Sequence, residues 1–429
     1  MVALTGLAKS TRAAFPIQET AADETQPKVA YDTNNDRFLV VWNTSTGVFG
    51  RLYTGAGVAV GASFPIFWQR SLGGGDTLSY DQVSVTFKDS QNRFYVAARE
   101  TYGDFINPFV TIDTYSVAVK VLTATGAELY NRLPYGVSSP SSAIPANPVI
   151  VADTYGADCC ILLAWQDDVS RDVRGLLLDD DGLEKPVASG GPFVIADGSS
   201  STATYTKPAA LYRYDWDQFV MTYERDPSSG SPRVGGRTIQ AYSGTTSGEL
   251  FNGAFGEDNQ ITTPVGGPAI AYHESWNLFM VAWTDGTDTF ALGLDPDGPN
   301  PIPFNPTSSG KLQINRDFGF SGWPAPTLVT YTVTDAPAAL AIDGTAGLFR
   351  AYVHEHSSLD MVNTLTTSYE VDLIGATSSA TVISGVGDGP KANAAAAYSP
   401  VAANDLVVWQ TFTSEFTNAN DIWGTTVAP

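Results

Sequence analysis

The chain has 429 residues, of which 43% are hydrophobic, and this is enough for a substantial core and excludes a disordered polymer. The chain has 23 Lys and Arg residues and 45 Asp and Glu residues, so its net charge is −22. A negative charge of this size repels nucleic acids and anionic membranes. No apolar run in the sequence reaches the roughly 18 residues of a membrane span, and the start of the chain is too weakly apolar for a signal peptide. Export by another route, a signal removed before this numbering, or release inside an assembled particle all stay open.

Residues 28–66 are a template for most of the chain. They contain four short runs rich in Val, Ile, Phe, Tyr and Ala, separated by clusters of Gly, Asn, Asp and Thr. β-branched and aromatic residues suit a pleated surface, and the intervening residues suit turns. The pattern therefore predicts a four-stranded antiparallel meander.

The pattern recurs along the whole chain. In the first copy the first strand ends at Tyr31 and the second strand ends 11 positions later, at Trp42. The second strands of the successive copies end at Trp42, Ala98, Trp165, Tyr223, Trp283, Val353 and Trp409. A period of about 60 residues with four strands per unit predicts one β-propeller domain of seven blades over residues 1–429, whereas a β-solenoid would have much shorter rungs.

Two features of the repeat carry structural predictions. A glycine lies within the third strand of most copies, at Gly50, Gly175, Gly236, Gly293 and Gly424. It indicates a bulge or a close backbone approach, which we expect between neighbouring sheets. The repeated tryptophans Trp42, Trp165, Trp283 and Trp409 are expected to be buried between adjacent blades.

The start of the chain matches what the last copy lacks. The seventh copy has no fourth strand, because only residues 425–429 follow its third-strand glycine. Residues 13–17 closely match residues 62–66, the fourth strand of the first copy. The sequence therefore predicts an all-β, seven-bladed β-propeller of four-stranded antiparallel blades, in which the N-terminal strand 13–17 completes the last blade and removes two free edges.

The repeat resembles one found in many uncharacterised bacterial and phage-associated propellers. The matching residues are the FLVVW run at 38–42, the third strand at 48–52 and the glycine turn at 55–57, with a second clear copy at 405–409 and 421–427. The resemblance implies a propeller fold and carries no functional residues, because a fold does not determine a function.

Almost all long insertions fall on one face of the predicted ring. This face carries the loops that join second strands to third strands and the loops that join one blade to the next. They cover residues 67–81, 101–114, 136–146, 226–232, 315–335 and 411–420. Long loops on one face of a rigid scaffold usually contact something. Candidate binding residues are the aromatic ones, namely Phe67, Trp68, Tyr102, Phe105, Phe109, Phe318, Phe320 and Trp323.

These aromatic residues either contact a protein or a sugar, or pack beneath their own loops. The insertion 315–335 is the longest interruption of the repeat. Its segment 327–333 has the composition of an extra strand, and such a strand would present an edge that could pair with another chain.

Metal and cofactor sites are not indicated. Cys159 and Cys160 are adjacent, and since neighbouring side chains of a strand point to opposite faces, we expect small buried hydrophobes and no ordinary disulfide. His354 and His356 could form half of a metal site but lack further ligands nearby in the sequence. The acidic turns 179–182 and 295–298 occupy third-to-fourth strand turns, where Asp-Gly is ordinary hairpin chemistry.

Catalytic groups are not indicated either. Glu100, Asp104 and Glu224 follow second strands on the insertion face, but nothing in the sequence makes two of them converge as a glycosidase requires. There is no G-x-S-x-G elbow and no phosphate-binding glycine loop. We therefore predict a non-enzymatic structural or adhesive propeller, displayed on a virion, an appendage or a cell surface, that binds a protein partner through this face. The alternative is a lectin or glycosidase that acts on carbohydrate.

Overall fold

The structure is a computed structural model that describes most of the chain. It describes residues 14–18, 23–107, 110–136, 143–153, 160–185, 187, 191–201, 203–229, 232–248, 250, 265–273, 277–284, 289–294, 301–302, 312–313, 331–333, 339–343, 348–357, 360–371, 381–384, 391–413 and 419–428. These residues form seven antiparallel sheets, which confirms the predicted seven-bladed β-propeller.

The first three blades follow one another in chain order after a short strand, β1 (Phe15–Gln18). Blade 1 contains β2 (Thr25–Asp32), β3 (Arg37–Thr44), β4 (Gly47–Thr54) and β5 (Ala59–Trp68). Blade 2 contains β6 (Arg70–Gly73), β7 (Asp76–Lys88), β8 (Arg93–Asn107), β9 (Val110–Thr123) and β10 (Glu128–Gly136). Blade 3 contains β11 (Pro145–Ala152), β12 (Ile161–Asp167), β13 (Asp172–Leu178) and β14 (Phe193–Ala196).

The other four blades repeat the plan with local additions. Blade 4 contains β15 (Thr204–Arg213), β16 (Gln218–Asp226) and β17 (Arg233–Gln240). Blade 5 contains β18 (Val265–His273), β19 (Leu278–Thr284), β20 (Thr289–Leu294), β21 (Pro301–Ile302) and β22 (Leu312–Gln313). Blade 6 contains β23 (Tyr331–Val333), β24 (Ala339–Asp343), β25 (Leu348–Ser357), β26 (Asp360–Val371) and β27 (Thr381–Ser384), and blade 7 contains β28 (Lys391–Ser399), β29 (Asn404–Thr413) and β30 (Ala419–Val427).

Helical structure in the described residues is limited to very short segments. They are α1 (Gly198–Ser201) and two single 3₁₀ turns, Asp89–Gln91 and Tyr214–Trp216. Among the residues that the structure describes, no helix has the length and apolar character needed to cross a membrane.

The first strands close the ring around a central channel. Each of them lies against the first strands of both neighbouring blades, in the order β2, β7, β11, β15, β18, β24, β28 and back to β2. Together these strands line the channel. Their side chains therefore determine what the channel can hold.

The N-terminal strand completes blade 7, as predicted. Strand β1 pairs antiparallel with β30, with Phe15 opposite Gly424. Ile17 is 1% exposed and packs among side chains of blades 1 and 7. The Arg51 guanidinium donates a hydrogen bond of 3.1 Å to the Ile17 carbonyl oxygen, so blade 1 also holds this strand.

The repeated tryptophans are buried between blades, as predicted. Trp42 packs against blade 7, Trp165 against blade 2, Trp283 against blade 4 and Trp409 against blade 6. Each indole thus packs on the preceding blade around the ring. The repeat builds its interfaces from one side-chain position.

The third-strand glycines make room within their own blade, which corrects the expectation of an approach between sheets. A Cβ built at Gly50 would lie 2.8 Å from Ile66 Cδ1, and one at Gly175 would lie 2.8 Å from Ile195 Cδ1. A Cβ at Gly424 would lie at the same distance from Ile17 Cδ1. The isoleucine of each fourth strand therefore folds over the glycine beside it.

The predicted loops 67–81 and 101–114 are strands. Residues 76–81 of β7, 99–107 of β8 and 110–116 of β9 continue the sheet of blade 2 past the ring, and β6 pairs with β7 along this extension. The sequence interpretation treated them as loops because they exceed the repeat, although alternating Tyr, Phe, Ile and Thr suit a strand. We call this extension, together with β6, the ribbon.

Candidate functional site

One face of the ribbon forms a cavity. In the pairing register Leu78 lies opposite Tyr102, which lies opposite Thr114, and Glu100 lies opposite Ser116 in the adjacent row. Side chains directly across neighbouring strands share a face of the sheet. Together with Tyr115, Leu133 and Gly136 they line a cavity of about 410 Å³, which we call the ribbon cavity.

The floor of the ribbon cavity is held by hydrogen bonds. The Ser116 hydroxyl donates to Glu100 Oε1 at 3.0 Å. Burial, followed by a hydrogen bond to Glu100, raises the pKa of Tyr80, which keeps that phenol protonated. A single carboxylate therefore fixes two neighbouring side chains below the cavity.

A second carboxylate orders the aromatic rim. The Tyr102 hydroxyl donates to Asp76 Oδ2 at 2.9 Å, and the backbone N–H of Phe105 donates to Asp76 Oδ1 at 2.9 Å. This bond to Asp76 also raises the pKa of Tyr102. A Cβ at Gly75 would fall 2.6 Å from the Phe105 ring, so the glycine turn leaves the space that the ring occupies.

The ribbon and the adjoining parts of β5 and β10 carry a concentration of exposed apolar side chains. They are Trp68, Leu72, Phe105, Ile106, Ile112 and Leu133. Single exposed apolar residues are normal, but several on one extension are typical of an interaction surface. We call these six residues the apolar rim.

Only part of the predicted aromatic set lies on this surface. Phe67 is 1% exposed and stacks on Tyr80 with 4.9 Å between ring centroids, so its assignment as an exposed binding residue is wrong. It follows a buried strand face, and the next residue, Trp68, is 47% exposed. Tyr102 and Phe105 lie on the ribbon. The remaining candidates, Phe109, Phe318, Phe320 and Trp323, lie outside the described residues.

The insertion 315–335 is described only at β23, which falls within the predicted extra strand. Tyr331 lies opposite Ser357 and Val333 lies opposite Glu355, so β23 pairs with β25 at the edge of blade 6. The strand prediction is confirmed for these residues.

The three carboxylates considered for catalysis have separate environments. Glu100 lies at the ribbon cavity, Asp104 is exposed on the ribbon, and Glu224 is buried with its Oε2 3.1 Å from the Lys207 ammonium. The structure therefore does not bring them together as an acid–base pair. The described residues also contain no cluster of three or more His, Cys, Asp or Glu arranged to hold a metal ion.

The acidic turn 179–182 joins blade 3 to blade 2. The Lys88 ammonium donates to Asp180 Oδ1 at 2.7 Å, and the Arg93 guanidinium donates to Asp181 Oδ1 at 3.1 Å. The Tyr95 hydroxyl donates to the Asp180 carbonyl oxygen at 2.8 Å. These cations neutralise the turn, so its acidity is explained by blade packing. The turn 295–298 lies outside the described residues.

The cysteine prediction was wrong in one respect. Cys160 is fully buried, as expected, but it is disulfide-bonded. Cys159 lies outside the described residues.

His354 is a buried neutral base. Burial, and then the nearby Lys391 charge, lowers its pKa to about 3. It lies on β25 opposite Thr366, while His356 lies opposite Thr364 on the same strand face. The structure gives no third ligand for this pair among its described residues.

The central channel is a second candidate site, which the sequence analysis missed. It encloses a cavity of about 550 Å³ lined by the first strands. Near the start of these strands one residue in each of blades 1 to 5 and 7 adopts a positive φ where the pairing register shifts, namely Gln26, Gln82, Asn147, Lys207, Gly267 and Asn393. We call this ring of residues the collar.

Amide side chains tie the collar together from blade to blade. Gln166 Oε1 accepts from the backbone N–H of Lys207 at 3.0 Å and from Asn147 Nδ2 at 3.1 Å. Gln410 Oε1 accepts in the same way from the backbone N–H of Gln26 at 3.2 Å and from Asn393 Nδ2 at 2.9 Å. The sequence carries a signal for the collar. In several copies the residue five positions before the end of the first strand is followed by a proline.

Seven antiparallel blades around a channel, closed by the first strand, define a β-propeller. No protein-family model matches the chain, and no curated protein matches its sequence. Similar solved structures include the Dos1 propeller, with 10% identity, a TM-score of 0.49, and coverage of 98% of this chain and 95% of that one.

Two enzymes with propeller-like structures are also similar. An α-L-arabinanase of Penicillium chrysogenum, complexed with arabinobiose, has 10% identity, a TM-score of 0.47 and coverage of 80% of this chain and 94% of that one. A sialidase of Trypanosoma rangeli, complexed with 2,3-difluorosialic acid, has 9% identity, a TM-score of 0.45 and coverage of 98% and 58%. Likeness at this level concerns the fold and carries no inference about ligands or reactions.

Proposed function

We propose that this chain is a non-enzymatic structural or adhesive β-propeller that binds a protein partner through the ribbon of blade 2. The carrying observation is the apolar rim beside the ribbon cavity, on an extension that the ring itself does not need. An apolar side chain of a partner would enter the cavity between Leu78 and Leu133, while the rim excludes water around it. Strand β6 has all four residues exposed and offers a free edge for strand addition.

The proposal includes display on a virion, an appendage or a cell surface. Its support is the strongly acidic composition with few charged residues overall, and the resemblance of the FLVVW repeat at 38–42 to phage-associated propellers. A net charge of −22 favours a partner that is neutral or basic at the contact.

Site-specific cross-linking tests this function. A photo-reactive amino acid at Leu133 should capture the partner in a reconstituted assembly, whereas the same group at Val401, an exposed residue of the first turn of blade 7 on the opposite face, should not. Ile106→Asp should abolish the capture from Leu133. Equal capture from both positions, or capture that survives Ile106→Asp, would contradict the proposal.

Carbohydrate binding is the second candidate, and the composition of the ribbon cavity supports it. Tyr102 offers an aromatic ring on the same sheet face as the Glu100 carboxylate, a combination that suits stacking and hydrogen bonding to a sugar. A glycan array decides between the two candidates. Saturable binding to one glycan class that is lost in Tyr102→Ala and Glu100→Gln favours a lectin, whereas binding to no glycan leaves the protein partner as the function.

A further inference from the structure

The central channel contains a lysine that the ring architecture does not explain. Lys28 lies on β2, two residues after the collar residue Gln26, and its side chain lines the cavity. The equivalent positions of the other six blades are Ser84, Val149, Ala209, Ala269, Ala339 and Ala395. Lys28 is therefore the one charged residue among these seven equivalent positions.

Lys28 has no counterion in the part of the chain that the structure describes. It forms no hydrogen bond or ion pair among the described residues, and no Asp or Glu of those residues lines the cavity. Lys207, which lines the same cavity, is instead paired with Glu224 at 3.1 Å. Burial lowers the pKa of Lys28, as expected for an ammonium group removed from water without a partner.

Lys28 is half-buried, and an ammonium group that is partly removed from water without a partner is unfavourable. Six blades already carry a small or uncharged residue at the same position. A lysine with only a packing role would destabilise the ring by leaving an uncompensated charge in its centre. The arrangement makes physical sense if an anion from outside the chain supplies the missing partner.

The wall around Lys28 is suited to the rest of such a ligand. Ser84 Oγ accepts from the Ile150 backbone N–H at 3.2 Å, and Thr86 Oγ1 accepts from the Ala152 backbone N–H at 3.2 Å. Each hydroxyl therefore keeps its own hydrogen for donation to a ligand oxygen. Apart from the collar and Tyr212, the remaining lining is apolar, with Pro148, Pro208, Pro268, Ile270, Leu340 and several alanines.

We propose that the central channel binds a small organic carboxylate. Its carboxylate lies against the Lys28 ammonium with help from the Ser84 and Thr86 hydroxyls, and its hydrocarbon part lies along the apolar wall. The cavity of about 550 Å³ has the size of ordinary small-molecule sites. One unpaired cation in a chain of net charge −22 fits a monoanion and disfavours a polyphosphate.

Calorimetric titration of the full chain with hexanoate, and with hexanamide as its uncharged analogue, tests this site below neutral pH. Hexanoate should bind saturably, and hexanamide should bind at least about tenfold more weakly, since the ion pair contributes about 1.4 kcal/mol or more. Lys28→Met should weaken hexanoate binding by a similar factor, whereas Lys28→Arg should keep most of it.

A second variant and a stability measurement show whether a loss of hexanoate binding is caused by misfolding. Lys28→Met should keep at least the melting temperature of the wild type, because it removes a half-buried charge that has no partner among the described residues. Ala209→Leu fills the space opposite Lys28 without touching the charge, and it should weaken hexanoate binding as well. Absence of saturable hexanoate binding, equal binding of hexanamide, or undiminished binding to a folded Lys28→Met protein would overturn the proposal.

Discussion

The two halves of β8 show how one strand serves two purposes. Residues 94–98 are buried on both faces between blades 1 and 3. Residues 99–107 continue the same pairing with β9, yet here Ile106 is 55% exposed. In blade 3 the matching strand, β12, stops at Asp167, which aligns with Glu100. The repeat thus builds the ring, and the extension adds a surface that the ring does not require.

If that division is correct, changes to the ring should have the largest effects on stability, and closure should be the most sensitive feature. Removing residues 1–17 deletes Phe15 and Ile17 and exposes the facing surface of β30, and should lower the free energy of unfolding by more than about 5 kcal/mol. Denaturant unfolding measures this. Pro16→Ala, at an exposed position of the same strand, is the control and should change little. An unchanged unfolding curve for the truncated chain would refute closure by β1.

The next largest effect is expected at the repeated tryptophans. Trp165 packs on Tyr135 of blade 2 at 4.4 Å between ring centroids, and Trp165→Ala should cost about 3–5 kcal/mol by leaving a cavity. Trp68→Ala is the matched control, because this indole is half-exposed at the edge of the ribbon and its loss should cost less than about 1 kcal/mol. Similar losses in the two variants would contradict the distinction between ring and ribbon.

A smaller, pH-dependent effect should come from His354. Its pKa of about 3 lies below the unfolded value of 6.5, so its stabilising contribution is complete above pH 6.5 and is lost as the pH falls from 6.5 towards 3. His354→Gln places at this position the residue that blades 3 and 7 carry, Gln166 and Gln410. Relative to this variant, the wild type should lose about 2 kcal/mol of stability between pH 6.5 and pH 5. Parallel pH profiles of unfolding would show that His354 is not a buried neutral base.

The fold was predictable because burial recurs at fixed positions. The spacing from Tyr31 to Trp42 repeats in most blades, and each blade packs between two others, so one pattern predicted the strands, the number of blades and the core. The match between residues 13–17 and 62–66 predicted closure for the same reason. The glycine positions were found, but their cause was not, because the isoleucine that covers Gly50 belongs to another strand of the same sheet.

The candidate sites were less predictable because they depart from the repeat. Tyr102 and Phe105 were identified as aromatic residues of an insertion, but their strand pairing and the carboxylate of Asp76 that orders them depend on a register the repeat does not contain. Lys28 stands out only when its six equivalents are aligned. Phe67 was misassigned because strand alternation turns it inward while Trp68 turns outward.

The smallest effect on stability, and the sharpest contrast, is expected within β8 itself. Val96 is 0% exposed in the ring half, and Ile106 is exposed in the ribbon half. Val96→Ser should cost about 2–4 kcal/mol by losing buried surface and burying a hydroxyl. Ile106→Ser should change the free energy of unfolding by no more than about 0.5 kcal/mol, because it removes a side chain that the isolated chain leaves in water. Denaturant unfolding of both variants under one condition gives the comparison, and a large loss in Ile106→Ser would mean that the ribbon is part of the folding core and not an added binding surface.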